Sequence, residues 1–136
     1  MDRFTRNYSI FLGVVVLLLL VWALYEDPMV SELNELLEQD KVVSSYPYRF
    51  HVLRIENNVA VISSPRNSMF PMQKALGIIF PHLANRAQDN PDLMQAQEQM
   101  VKVQKRAKQL VVESGKVQRI RWELDREWLS SRGITP

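Results

Sequence analysis

The stretch YRFHVLRIENNVAVIS, residues 48–63, contains two runs rich in β-branched and aromatic residues on either side of a polar turn. In the first run, every second residue from Tyr48 to Val52 is aromatic or β-branched, which is the period of a half-buried strand. Asn57 and Asn58 suit a tight turn because asparagine tolerates a positive φ angle. The stretch therefore predicts a β-hairpin.

Two helical patterns follow the hairpin. Ser68 is a candidate cap for a first helix that Pro81 ends, and Asn90 and Pro91 begin a second helix that ends near Gly115. The second helix has apolar residues on strict a and d heptad positions, namely Leu93, Ala96, Met100, Val103, Ala107 and Leu110. Because this seam is short and contains two alanines, we expect it to pack within the domain; an intermolecular coiled coil is the alternative.

Residues 8–25 carry no charge and are almost purely apolar. At about 1.5 Å rise per residue the run spans roughly 27 Å, near the hydrocarbon thickness of a bilayer. Tyr8 at one end, and Trp22 and Tyr25 at the other, are the residue types that prefer the headgroup level. We therefore expect a transmembrane helix over residues 8–25 with these three aromatic residues at the membrane interface.

Two other interpretations of this run compete. A buried core helix has similar composition, although such helices seldom begin a chain with so long an apolar run. A cleaved signal peptide would use Arg3 and Arg6 as its basic region and the segment Val21–Ala23 as its cleavage site. The length of the apolar run and the bulk of Trp22 favour an uncleaved anchor.

The charges beside the run predict its orientation. Arg3 and Arg6 precede it, whereas the first basic residue after it is Lys41. Six acidic residues lie between the run and Lys41. Because basic residues stay on the cytoplasmic side, the N-terminus is expected in the cytoplasm of a bacterial inner membrane and the C-terminal domain in the periplasm.

A further helix start and a third strand complete the predicted organisation. Asp27 and Pro28 form a cap and first-turn pair, and Ile120, Trp122 and Leu124 alternate with charged residues. The predicted fold class is α+β, an N-terminal transmembrane helix followed by a small α-β-β-α(α)-β domain. The expected divisions are a cytoplasmic N-terminus (1–7), the transmembrane helix (8–25), an acidic juxtamembrane helix and linker (26–45) and an α+β soluble domain (46–136).

Composition excludes several kinds of chemistry. Lys and Arg total 17 and Asp and Glu total 15, so the net charge of +2 is too small for a protein that binds nucleic acid through bulk charge. The absence of cysteine excludes disulfides, thiolate nucleophiles and cysteine metal centres. With four glycines, no phosphate-binding loop can be formed. We expect no cofactor, no metal site, no catalytic residue and no nucleic-acid partner.

The two histidines give one enzymatic alternative. His51 and His82 have no acidic neighbour at helical ligand spacing, so a metal site is not expected. Ser63 or Ser64 could face His51 across the hairpin and form a small hydrolase, but the chain has no nucleophile-elbow pattern.

Basic residues are concentrated near the second helix and third strand. The candidate interaction surface consists of Lys102, Lys105, Arg106, Lys108, Arg119, Arg121 and Trp128. Such a surface could contact anionic headgroups, an acidic partner or the chain's own acidic juxtamembrane helix. The resulting hypothesis is a membrane-anchored, non-catalytic interaction module that acts on an envelope protein; an anionic-lipid-binding module is the first alternative. A homo-oligomer is possible but not favoured.

Two resemblances accompany these patterns. The order of elements, and the turn followed by Val59–Ile62, resembles the BON domain of envelope proteins that associate with phospholipid surfaces. The chain differs in having Asn57 and Asn58 where that family has a glycine, and in a longer helical region before the last strand.

The stretches Tyr46–Arg54 and Arg121–Leu129 are similar to small inner-membrane proteins of gammaproteobacteria, some of which are labelled glutamine synthetase adenylyltransferase. That label implies nucleotidyl transfer, which uses a Gly-Ser turn and closely spaced aspartates to hold phosphates and Mg²⁺. The chain has neither a Gly-Ser pair nor an Asp-x-Asp pattern, so its residues do not support that activity.

Overall fold

The computed structural model describes residues 2–24 and 27–136. Its helices are α1 (Arg3–Leu24), α2 (Pro28–Gln39), α3 (Lys41–Ser44), α4 (Met72–Ile79), α5 (Pro91–Glu113) and α6 (Arg126–Ser130), with a 3-10 turn at Pro81–Leu83. Its strands are β1 (Val52–Glu56), β2 (Val59–Ser64) and β3 (Arg119–Leu124). In the sheet, β1 pairs antiparallel with β2, and β2 pairs parallel with β3. The predicted combination of an apolar N-terminal helix with a small α+β domain is confirmed.

The hairpin turn has the expected conformation, since Asn57 and Asn58 adopt φ angles of 51° and 64°. The first strand is shorter than predicted and begins at Val52. Before Val52 the backbone amide of His51 bonds to the Ser63 hydroxyl at 3.1 Å instead of a carbonyl. The His51 carbonyl still accepts from the Ser63 amide at 2.8 Å, so backbone pairing persists on one side only, and residues 48–51 lie before the strand.

Helix α5 packs within the domain, as expected. The buried residues are Leu93, Met100, Val103, Gln104, Ala107 and Val111. Leu110, which occupies a predicted d position, is only half-buried, whereas Val111 is fully buried. The buried stripe follows the 3.6-residue period of a straight helix rather than a strict heptad.

Helix α2 belongs to the core of the domain. Leu33 and Leu37 are almost fully buried in the same cluster as the residues of α5. Asn34 fixes α2 to the edge strand: its Oδ1 accepts from the Val52 amide at 2.7 Å and its Nδ2 donates to the Val52 carbonyl at 3.2 Å. The expected boundary at residue 46 is therefore corrected, because the folded unit includes α2.

The outer face of the sheet carries an ion-pair network. The Arg54 guanidinium on β1 reaches across β2 to both carboxylate oxygens of Glu123 on β3, at 2.7 and 2.9 Å, and also bonds Glu56 at 2.6 Å. Val61, which pairs with Arg54 in the register, is fully buried. Charged side chains therefore cover the centre of this face.

Helix α1 is long and apolar enough to cross a membrane, and none of its residues is buried. A core helix would bury such residues, so α1 is not part of the domain core. A signal sequence near the N-terminus of a chain can meet the same criteria of length and hydropathy. Tyr8 and Trp22 lie on this helix and are exposed; Tyr25, the third expected interface residue, and Glu26 lie outside the described residues.

The ion-pair network predicts loss of stability in acid. Hydrogen bonds from Arg54 hold the pKa of Glu56 and of Glu123 below the ordinary value of 4.5. Their stabilisation is complete above that value and is lost as the pH falls through the lower folded-state pKa. The difference in free energy of unfolding between pH 7 and pH 3, measured with urea, should be smaller in Arg54→Met than in the native protein. The exposed Arg119→Met is the control, and an unchanged difference in Arg54→Met would contradict the prediction.

Candidate functional site

The basic residues predicted to form one surface separate into paired and unpaired groups. Arg106 donates from Nη2 and Nε to Asp40 Oδ1 at 3.0 and 3.2 Å, and Arg121 pairs with Glu56 at 3.4 Å. Burial raises the pKa of Asp40, but hydrogen bonds from Arg106 and the Val43 amide outweigh it and hold the pKa below 3.8. Arg106 therefore joins α5 to the start of α3 and is not free for a partner.

Lys102, Lys105 and Lys108 are exposed along α5. Within the described ranges, none of them lies within ion-pair distance of a carboxylate. Their charges are therefore available at the surface. Arg119 is also exposed, and it begins β3.

Two of these lysines border an apolar depression between α4 and α5, which we name the α5 groove. It has a volume of about 560 Å³ and is lined by Met72, Met94, Gln97, Glu98, Val101, Lys102 and Lys105. Met94 and Val101 are 49% and 47% exposed, and both line this one depression. Apolar residues bordered by unpaired cations make this groove the best candidate interaction site.

Sequence reasoning identified the lysines of the groove but not its apolar residues. Met94, Val101 and Lys105 are separated by seven and four positions, so they share one face of α5. The sequence pattern did not reveal this face, because Met94 and Val101 do not occupy a or d positions of the predicted heptad. Met72 could not be assigned to the groove, because its contact with α5 depends on the tertiary fold.

Trp128 makes contacts within the domain. Its ring packs edge-on against Tyr48 with centroids 5.0 Å apart, and the Arg132 guanidinium lies 4.7 Å from its centre. The side chain is half-buried and forms part of the wall of the domain. The assignment of Trp128 to an interaction surface stays a prediction.

Ser63 and His51, the candidate pair of the enzymatic alternative, are in contact. Ser63 Oγ lies 3.0 Å from His51 Nδ1. Ser63 is fully buried, however, and His51 alone reaches the open polar cleft that it lines with Glu35 and Glu38. A substrate carbonyl in that cleft has no access to the hydroxyl, so this pair lacks the geometry of nucleophilic catalysis.

The surrounding polar groups stabilise the fold. Tyr48 donates its hydroxyl to Asp125 Oδ2 at 2.7 Å, and burial, together with the Asp125 carboxylate, raises the Tyr48 pKa above its ordinary value of 10. Ser64 Oγ donates to the Arg66 carbonyl and accepts from Gln104 Nε2 at 3.2 Å. In the part of the chain that the structure describes, no three His, Asp or Glu side chains are placed to hold a metal ion.

The distinction between paired and unpaired cations can be tested by measuring the free energy of unfolding of two variants. Arg106→Ala leaves the mostly buried Asp40 without its partner and should lower the free energy of unfolding by roughly 1–2 kcal/mol. Lys105→Ala on the same helix should change it by less than about 0.5 kcal/mol. Urea denaturation followed by circular dichroism measures both, and equal losses would contradict the distinction.

Comparison with known proteins assigns no family. The observed order of helix, two strands, helices and strand is the order on which the BON resemblance depends. That resemblance, and the similarity to small inner-membrane proteins of gammaproteobacteria, stay predictions. The chain matches no protein-family model, no curated protein and no solved structure.

Proposed function

We propose that this protein is a membrane-anchored, non-catalytic interaction module whose α5 groove binds a partner protein at the periplasmic face of the bacterial inner membrane. The observation that carries the proposal is the combination of an unburied apolar helix with exposed Met94 and Val101 beside unpaired lysines. The helix confines the domain to the membrane surface and raises its effective concentration near membrane-bound partners.

The short connection between α1 and α2 supports a domain held close to the bilayer. Leu24 ends α1 and Pro28 begins α2. At about 3.5 Å per residue, a fully extended connection places Pro28 within roughly 14 Å of Leu24. The N-terminal end of α2 is therefore the part of the domain nearest the anchor.

The α5 groove lies toward the opposite end. Glu32 pairs with Lys116 just beyond α5, whereas Asp40, beyond the C-terminal end of α2, pairs with Arg106 in the middle of α5. The two helices are therefore antiparallel, with the C-terminal end of α5 beside the start of α2. At about 1.5 Å per residue, Val101 lies roughly 18 Å along α5 from Glu113. This placement favours a protein partner over headgroups next to the anchor.

Anionic lipid is the second candidate ligand of the same surface. It is supported by Lys102, Lys105 and Lys108, which carry unpaired charge beside apolar residues. Such a combination binds anionic bilayers when the domain lies flat on them.

Topology is the first test of the proposal. Alkaline phosphatase fused after Pro136 should be active, and a fluorescent protein that folds only in the cytoplasm should be dark at the same position. The expectation follows from Arg3 and Arg6 on one side of the span and Lys41 as the first basic residue on the other. An inactive phosphatase with a bright fluorophore would overturn the periplasmic placement.

Photo-crosslinking in intact cells tests the groove. A photoreactive residue at Val101 should yield a discrete protein adduct, and charge reversal by Lys102→Glu with Lys105→Glu should reduce its yield about tenfold. The same residue at the exposed Gln109 of α5 is the control for chance encounters. Equal labelling at both positions would contradict the proposal, and a phospholipid adduct at Val101 would favour the lipid candidate instead.

A further inference from the structure

A second depression, separate from the α5 groove, lies on the other side of α4. This depression, which we name the α4 cleft, has a volume of about 470 Å³, within the range of roughly 300–1,000 Å³ typical of small-molecule sites. Phe70, Leu83 and Leu93 contribute its buried apolar floor, and half-buried Ile78 and Ile134 contribute its sides. A ligand seated here would place an apolar group against five apolar side chains.

The charged groups around the α4 cleft are of one sign. Lys74 and Arg86 line it together with the amides of Gln73 and Asn85. Among the residues that the structure describes, no carboxylate lines the cleft. The cleft therefore presents an apolar floor and a rim of hydrogen-bond donors with a net positive charge, which complements an anionic ligand.

Local contacts hold this rim in place. Arg86 donates from Nε to the His82 carbonyl at 3.2 Å and from its backbone amide to the Leu83 carbonyl at 3.3 Å. Asn85 has a φ angle of 63°, which turns the chain back toward α4. Gly77 permits this close approach, since a Cβ at its position would lie 3.3 Å from the Ala84 Cα.

The tail after α6 completes the opposite side of the cleft. Gly133 has a φ angle of 73°, and the Ile134 amide bonds to the Leu129 carbonyl at 3.0 Å. These contacts fix Ile134 beside the cleft, so this side is preorganised and does not have to be ordered on binding.

We propose that the α4 cleft is a binding site for a small anionic amphiphile, a molecule with an apolar body and one carboxylate group. The apolar body lies on Phe70, Leu83 and Leu93, and the carboxylate accepts hydrogen bonds from Lys74 and Arg86. This proposal does not depend on the partner of the α5 groove or on the orientation of the chain in the membrane.

Methyl NMR of the full-length protein in lipid nanodiscs tests the site, with hexanoate as the probe. Hexanoate should shift the methyl signals of Ile78 and Ile134 in a saturable manner, while that of Ile120 in β3 stays unchanged. Two control compounds should each bind at least about tenfold more weakly than hexanoate. Hexanol keeps the apolar body but has no charge, and hexylammonium carries the opposite charge.

Variants separate the site from general adsorption. Lys74→Ala and Arg86→Ala should each weaken hexanoate binding several-fold, Lys74→Arg should retain it, and Lys108→Ala on α5 should leave it unchanged. The remaining methyl signals report that each variant is folded. The proposal is overturned if hexanol binds as well as hexanoate, if neither alanine variant weakens binding, or if only Ile10 of α1 responds, which would indicate partition into lipid.

Discussion

Leu33 and Leu37 of α2 lie buried between α5 and the sheet, and this contact organises the domain around it. Burying two leucines contributes roughly 1.5–3 kcal/mol each, and Asn34 adds two hydrogen bonds to the backbone of β1. Helix α2 is also the first element that follows α1 in the chain.

The same contact explains the distribution of charge on α5. Asp40 and Glu32 neutralise Arg106 and Lys116, so the side of the molecule that receives α2 is paired. Lys102, Lys105 and Lys108 have no such partner in the described structure. The sequence suggested that the basic stretch contacts the acidic helix of the same chain. Among the residues that the structure describes, only Arg106 and Lys116 form ion pairs of this kind. The remaining part is what a partner can use.

Local signals were sufficient for the hairpin turn, for α5 and for β3, because each depends on residues close in sequence. They were insufficient where a distant group decides the structure. At the start of β1 the Ser63 hydroxyl accepts from the His51 amide, and on the outer face of the sheet an Arg54–Glu123 pair crosses a strand. Ser68 was expected to cap a helix, but the Asn67 side chain caps the turn before α4, accepting from the Phe70 amide at 2.7 Å.

The candidate sites show the same limit of sequence reasoning. The charges of Lys102 and Lys105 could be read from the chain, but whether a cation is free or paired is a tertiary property that Arg106 illustrates. The apolar parts of the α5 groove and the α4 cleft come from helices, a turn and the tail, which no periodic pattern brings together.

Helix α4 links the two depressions physically. Met72 at its start faces the α5 groove, whereas Lys74 and Ile78 face the α4 cleft. On α5, the neighbouring residues Leu93 and Met94 divide in the same way, since successive residues of a helix point about 100° apart. A rigid displacement of α4 therefore changes the width of both depressions at once. Both lie toward the N-terminal end of α5, away from the end that meets the start of α2.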